Sequence, residues 1–265
     1  MEAYRNHQAM YEYNELHHLK QISENTRGKS GFMIIVSGVD SRIETTYEQP
    51  IKLDSKRKYE LAFLNLETYY SFPNIDETNN KLQYKTEATA EWQDIEIPKG
   101  CYEIKAINKE IETQVKKSKD TDCPIKVIDN PNTLRCMLII KGAYEVNFDT
   151  PNSLRTVLGF NASVYKKGTH PGEHSVNILR INSILVHTDI ITSTYQNGRM
   201  EPIIYSFFPN VSPGEKIVAV QKNLIYVPIT RDTIYRMTTW LTDQNNNKLD
   251  LQGETLTVRF HLREC

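Results

Sequence analysis

Leu256-Thr257-Val258-Arg259-Phe260-His261-Leu262-Arg263, near the end of the chain, alternates apolar and polar residues at every step. A period of two is the pattern of a strand with one face buried and one face wet. Upstream of it the same reading applies to Asn177–Ile190, Ile203–Phe208, Ile217–Val220, Leu224–Ile229 and Ile234–Leu241. Asn197-Gly198, Ser212-Pro213-Gly214 and Asp243–Asn247 supply the turns between them, because Gly and Asn accept positive φ and Pro presets a turn. Strands joined by tight turns, with few helical segments between them, predict an antiparallel all-β sandwich. Toward the N-terminus, Met33–Val36, Ile51–Leu53 and Tyr59–Leu66 read as further strands, followed by the aromatic stretch Tyr69, Tyr70 and Phe72.

One segment breaks the strand pattern. Ile104, Ile107, Ile111 and Val115 recur at three- and four-residue steps, with Glu103, Lys105, Lys109, Glu110 and Glu112 largely opposite, which predicts an amphipathic helix over about Tyr102–Lys117. After a charged loop at Lys116–Asp122, Ile125–Ile128 and Leu134–Ile140 predict a hairpin around Asn130-Pro131-Asn132. Ser153–Leu158 predicts a short helix, capped by Ser153 and closed at Gly159. Residues 1–30 differ from all of this, being polar and rich in Tyr, His, Glu and Asn. Such a segment buries too little to fold alone, so it is either a solvated tail or an arm that orders on a neighbour. Tyr4, Tyr11, Tyr13, Leu16 and Leu19 are its candidate assembly residues.

The 265 residues suffice for one large elaborated domain. Thirty-two basic against thirty-three acidic residues leave a formal charge of −1, so no excess exists to drive binding to nucleic acid or to an acidic surface. Cys101, Cys123, Cys136 and Cys265 show no C-x-x-C spacing, and Met1-Glu2-Ala3-Tyr4 lacks the basic-then-apolar layout of a signal peptide. Reduced thiols in an intracellularly made protein are expected, and the sequons at Asn161 and Asn210 then carry no glycan. No apolar stretch approaches the roughly 20 residues of a membrane span.

Catalytic patterns fail on physical grounds. His170-Pro171-Gly172-Glu173-His174 has the letters H-x-x-E-H, but that zinc motif needs a helix to bring both histidines to one face, and Pro171-Gly172 predicts a turn. His7, His17-His18 and His187 add no ligand spacing. Gly28-Lys29-Ser30 ends like a phosphate loop without its earlier glycine, and no G-x-S-x-G elbow occurs. Asp243 and Asp250 flank an Asn-rich turn as solvated loop residues do, and Lys116, Lys117 and Lys119 read as a wet face. Neither a metal site nor a cofactor site is expected, and no enzymatic activity.

Several segments, however, resemble a known family. They are Ser153-Leu154-Arg155-Thr156-Val157-Leu158-Gly159-Phe160, Val176–Leu179, Tyr205–Val218 with its Ser212-Pro213-Gly214, Tyr59–Ser71, Trp240–Gln244 and Leu251–Leu262. Together they resemble the minor capsid (penton) proteins of Polinton/Maverick elements and adintovirus-like viruses, over roughly residues 31–264. The resemblance implies a single jelly-roll sandwich at residues 31–265, interrupted by an insertion at about 75–140 that carries the amphipathic helix. It implies homopentamers at the vertices of a double-stranded DNA virus or virus-like transposon, beside a double jelly-roll major capsid protein. A virion location follows, with synthesis in the host cytoplasm or nucleus. Leu154, Leu158 and Phe160 are then core. Two other classes remain open, a virion spike that binds a receptor or glycan through aromatic loops such as Tyr69–Phe72, and a sandwich-fold hydrolase.

Overall fold

The computed structural model describes residues 31–86, 91–115, 123–130, 132–178, 180–192 and 194–265. They form two compact units, one from the chain up to Tyr70 together with Ile181–Cys265, the other from Ser71–Arg180. The first unit opens with β1 (Gly31–Gly38), β2 (Arg42–Lys52) and β3 (Tyr59–Tyr69). The second contains β4 (Lys81–Thr86), β5 (Gln93–Glu96), α1 (Ile104–Val115), β6 (Ile125–Asn130), β7 (Arg135–Ile140), β8 (Tyr144–Asn147), α2 (Arg155–Leu158), β9 (Val164–Tyr165) and β10 (Gly168–Pro171). The chain then returns to the first unit with β11 (Ile184–Thr188), β12 (Thr194–Gln196), β13 (Arg199–Glu201) and β14 (Ile203–Phe207). It finishes with β15 (Lys216–Val220), β16 (Tyr226–Pro228), β17 (Thr233–Thr242) and β18 (Leu256–Glu264).

The first unit is an antiparallel sandwich of two sheets, ordered β1-β18-β3-β15, with β16 also on β3, and β14-β11-β17-β2. Counting β15 and β16 as one interrupted strand, and setting aside the β12–β13 hairpin, the strands number eight along the chain. They pair 1-8-3-6 in one sheet and 2-7-4-5 in the other. Every connection but one therefore crosses from sheet to sheet, which is the jelly-roll winding. Alternation explains the core: β18 sends Leu256, Val258, Phe260 and Leu262 inward. Across the sandwich Phe63 of β3 stacks on Tyr205 of β14 at 4.3 Å, and within its own sheet it meets Phe260 of β18 edge-on at 6.3 Å. Asn197-Gly198 turn at φ 50° and 81°, the two positive values a tight two-residue hairpin needs.

The second unit has its own core and two sheets, β10-β7-β6 and β5-β4-β8-β9. Ile104, Ile107 and Ile111 bury the apolar stripe of α1, the longest helix among the described residues. Leu154, Leu158 and Phe160 are core, as expected from the motif read physically. The unit spans Ser71–Arg180, not about 75–140, because the chain after β7 stays committed to it: Asn177 N–H donates to Val157 O, and Asn74 Nδ2 donates to Ile178 O at 3.1 Å. Those same bonds commit Asn177 and Ile178 to the second unit, so the strand expected over Asn177–Ile190 is only Ile184–Thr188. The short helix also starts later than expected. Leu154 holds the N-cap position, Ser153 Oγ accepts from Arg155 N–H at 3.3 Å, and Gly159 closes the turn at φ 82°.

Candidate assembly surfaces

An edge strand presents a row of backbone N–H and C=O groups with no neighbour, and soluble proteins guard such edges with charge, proline, shortness or a covering element. The jelly-roll unit has four edges. β2 carries Arg42, Glu44, Glu48 and Pro50. β14 has five residues and lies between Pro202 and Pro209. β15 and β16 are short, and Pro228 ends β16. β1 is different: its eight residues, Gly-Phe-Met-Ile-Ile-Val-Ser-Gly, hold neither charge nor proline, and among the described residues it pairs only with β18. Ile34 and Val36 face the core, while Phe32, Met33 and Ile35 are 42%, 43% and 55% exposed.

The inserted unit treats its edges in the opposite way. α1 lies against β5 and β6, each an edge of its sheet. Asn108 donates to Val127 O, and its Oδ1 accepts from Val127 N–H at 2.7 Å. Gln114 repeats the arrangement on Glu96, donating to its carbonyl at 2.8 Å and accepting from its N–H at 3.1 Å. A carboxamide presents the same donor and acceptor as a peptide, so two side chains of one helix complete two strand edges.

Beside β1, the outer face of the first sheet is charged but internally neutralised. Arg259 donates to Glu67 at 2.6 Å and to Asn65 at 2.9 Å, Lys216 reaches Glu67 at 2.6 Å, and Arg263 pairs with Glu60 at 3.1 Å. The Arg263 guanidinium lies 3.4 Å from the ring centre of Tyr226, whose hydroxyl meets His261 Nδ1 at 2.9 Å. Burial, and then the Arg263 charge, hold His261 below the usual histidine range. In the other sheet His187 is buried, stacked on Trp240 at 5.0 Å and bonded through Nε2 to Thr242 Oγ1 at 2.8 Å. Burial lowers its pKa to about 4.

Of the residues singled out in the sequence, Tyr4, Tyr11, Tyr13, Leu16 and Leu19, with His7, His17, His18, Gly28-Lys29-Ser30 and Lys116, Lys117 and Lys119, lie outside the described residues. His170 and Pro171 sit on β10, so the expected turn begins only after Pro171. The two histidines turn to different partners, His170 Nε2 to Lys166 O at 2.7 Å and His174 Nε2 to Asn161 Oδ1 at 3.2 Å. Glu173 accepts from the Tyr165 hydroxyl and from Asn161 N–H. Among the described residues no three His, Cys, Asp or Glu side chains gather as metal ligands. Asp243 accepts N–H bonds from Asn245 and Asn247, and Asp250 one from Gln252, so each carboxylate shapes its own turn. Tyr70 and Phe72 are buried, which leaves Tyr69 as the exposed member of the aromatic stretch proposed for ligand contact. All four cysteines are thiols, and burial, with Asp129 second, pushes Cys136 up to about 12. Sequence reasoning did not find the bare edge, although Phe32–Val36, five apolar residues in a row, carried its signal.

No family model matches the chain, and no curated protein does. Among solved structures, the mavirus penton protein is similar with a TM-score of 0.47 and 11% identity, over 89% of this chain and 100% of that one. The D2–D3 domains of the flagellar cap protein from Escherichia coli give a TM-score of 0.16 and 13% identity, over 81% of this chain and 100% of theirs. Among the described residues no helix is long and apolar enough to cross a membrane.

Proposed function

We propose that this chain is a structural, non-enzymatic capsid protein, the vertex capsomer of a double-stranded DNA virus or virus-like transposon, assembled as a homopentamer. The observation that carries the reading is an eight-stranded jelly roll whose longest uncharged edge has no second partner strand among the described residues. Jelly rolls serve capsids, lectins and cupins. A ligand-binding member needs convergent polar groups in a pocket. In the groove at Val39, Asp40 and Lys248, the lysine is already joined to Asp40 at 3.0 Å. The resemblance of residues 31–264 to penton proteins of Polinton/Maverick elements supports the same reading, with a double jelly-roll major capsid protein as the neighbour and the virion as the location.

Light scattering on the full-length protein tests this. A mass five times the 30.7 kDa of one chain is expected. A monomer or trimer that binds cells or sugars would instead make the protein a spike. Residues 1–30 are assigned to contacts between capsomers, so deleting them is expected to leave the pentamer intact and reduce its incorporation into particles.

A further inference from the structure

The strand orders put β1 and β15/β16 at opposite ends of one sheet, and β2 and β14 at opposite ends of the other. β1 and β2 share a side, because only Val39-Asp40-Ser41 joins them and a Cβ on Gly38 would lie 3.1 Å from Ile43 Cγ1. β14 and β15 share the other, where the Tyr205 hydroxyl reaches Val220 O at 3.4 Å. Each side exposes apolar side chains. The first carries Phe32, Met33 and Ile35, and the second carries Phe208 and Ile225, which are 53% and 66% exposed.

We infer that these two sides meet head to tail, the β1 edge of one copy against the β14–β16 side of the next. The inference rests on the ring reading above and names its contact. β1, β14 and β16 contain no charged residue, and the one charge of β15, Lys216, is paired with Glu67 at 2.6 Å, so neither side strongly selects an acidic or basic partner, and a chain of net charge −1 exerts little repulsion on its own copies. One neutral, apolar edge complements another, both in side chains and in unpaired backbone groups. Because the two sides differ, the contact is heterologous and does not stop at a two-fold dimer; repeated with a rotation of one fifth of a turn it closes the ring of the proposed pentamer.

The test uses two full-length variants, Ile35→Glu on the first side and Ile225→Glu on the second, both at exposed positions. Each is expected to fall from the ring to a single chain while keeping its thermal unfolding transition. Mixed in equal amounts, they are expected to form a 1:1 dimer, since the Ile35→Glu copy retains a sound second side and the Ile225→Glu copy a sound first side. Variants that remain rings, or single chains whose mixture gives no dimer, would overturn the head-to-tail contact. Should either variant unfold, Phe32→Ser and Phe208→Ser serve as the second pair and are judged by the same outcomes. A ring lost on deleting residues 1–30 alone would make that segment the occupant of β1 and overturn the inference. A wild-type protein that is already a single chain would remove the ring reading, which separates that failure from the others.

Discussion

The inserted unit and the jelly roll handle the same physical problem in opposite ways. In residues 71–180 a single helix turns Asn108 and Gln114 onto β6 and β5 and completes the backbone groups of Val127 and Glu96. In the jelly roll, β2 is guarded by charge and Pro50, whereas β1, three residues away in sequence, holds neither charge nor proline and has no second partner strand among the described residues. A chain that caps one pair of edges with side-chain amides and charges another is not short of means to protect β1. On the proposed reading β1 is the edge that takes a partner, whereas β5 and β6 of the inserted unit are completed by side chains of α1.

Acid separates the two units with the largest expected effect. His187 binds its proton at pH about 4 when folded and near 6.5 when unfolded, so the unfolded chain protonates first as pH falls. The stability this group contributes is complete above pH 6.5 and lost between 6.5 and 4, up to about 3 kcal/mol, with His261 shifted in the same direction. Chemical denaturation across that range is expected to destabilise the jelly roll, and His187→Gln to flatten the slope. An unchanged slope in that variant would place the acid sensitivity elsewhere.

A smaller effect probes the capped edge. Asn108→Ala leaves both backbone groups of Val127 without their partner, at a cost of about 1–3 kcal/mol. Hydrogen exchange is expected to speed up at Val127 and its neighbours on β6, with β1 unaffected. Equal loosening of both regions would show that the two units do not hold their edges independently. The smallest effect is expected from His170→Ala combined with His174→Ala. Their partners are a carbonyl and an amide on exposed loops, so stability should move by no more than about 0.5 kcal/mol. Elemental analysis of the wild-type protein is expected to find no stoichiometric zinc, and one tightly held zinc per chain would contradict this reading of the motif.

Much of the fold was legible because it depends on local periodicity. The alternation of Leu256–Leu262, the three-and-four spacing of Ile104, Ile107 and Ile111, and the positive-φ turn at Asn197-Gly198 each report a burial pattern or backbone angle set within a few residues. The insertion boundary was not legible in the same way. Val176–Arg180 has a strand-like composition, and it is long-range bonds, Val176 N–H to Leu134 O, Asn177 N–H to Val157 O, Asn74 to Ile178 O and Arg180 to Asp76, that show it belongs to the second unit. The roles of Asn108 and Gln114 were hidden for a similar reason, since both flank the apolar stripe of the helix, half-buried, and a polar residue there reads as an ordinary boundary residue until β6 and β5 are placed beside it. The bare edge of β1 depends on which strand has one neighbour and which has two. That is a property of sheet order, to which no short window of sequence has access.

The central claim, that β1 is left open in order to join copies, is tested most directly by imaging the assembled full-length protein at a resolution that traces strands. Closed fivefold rings are expected, with the β1 edge of each protomer, at Phe32, Met33 and Ile35, buried against the β14–β16 side of its neighbour. Rings in which β1 faces solvent, or particles without fivefold symmetry, would contradict the claim.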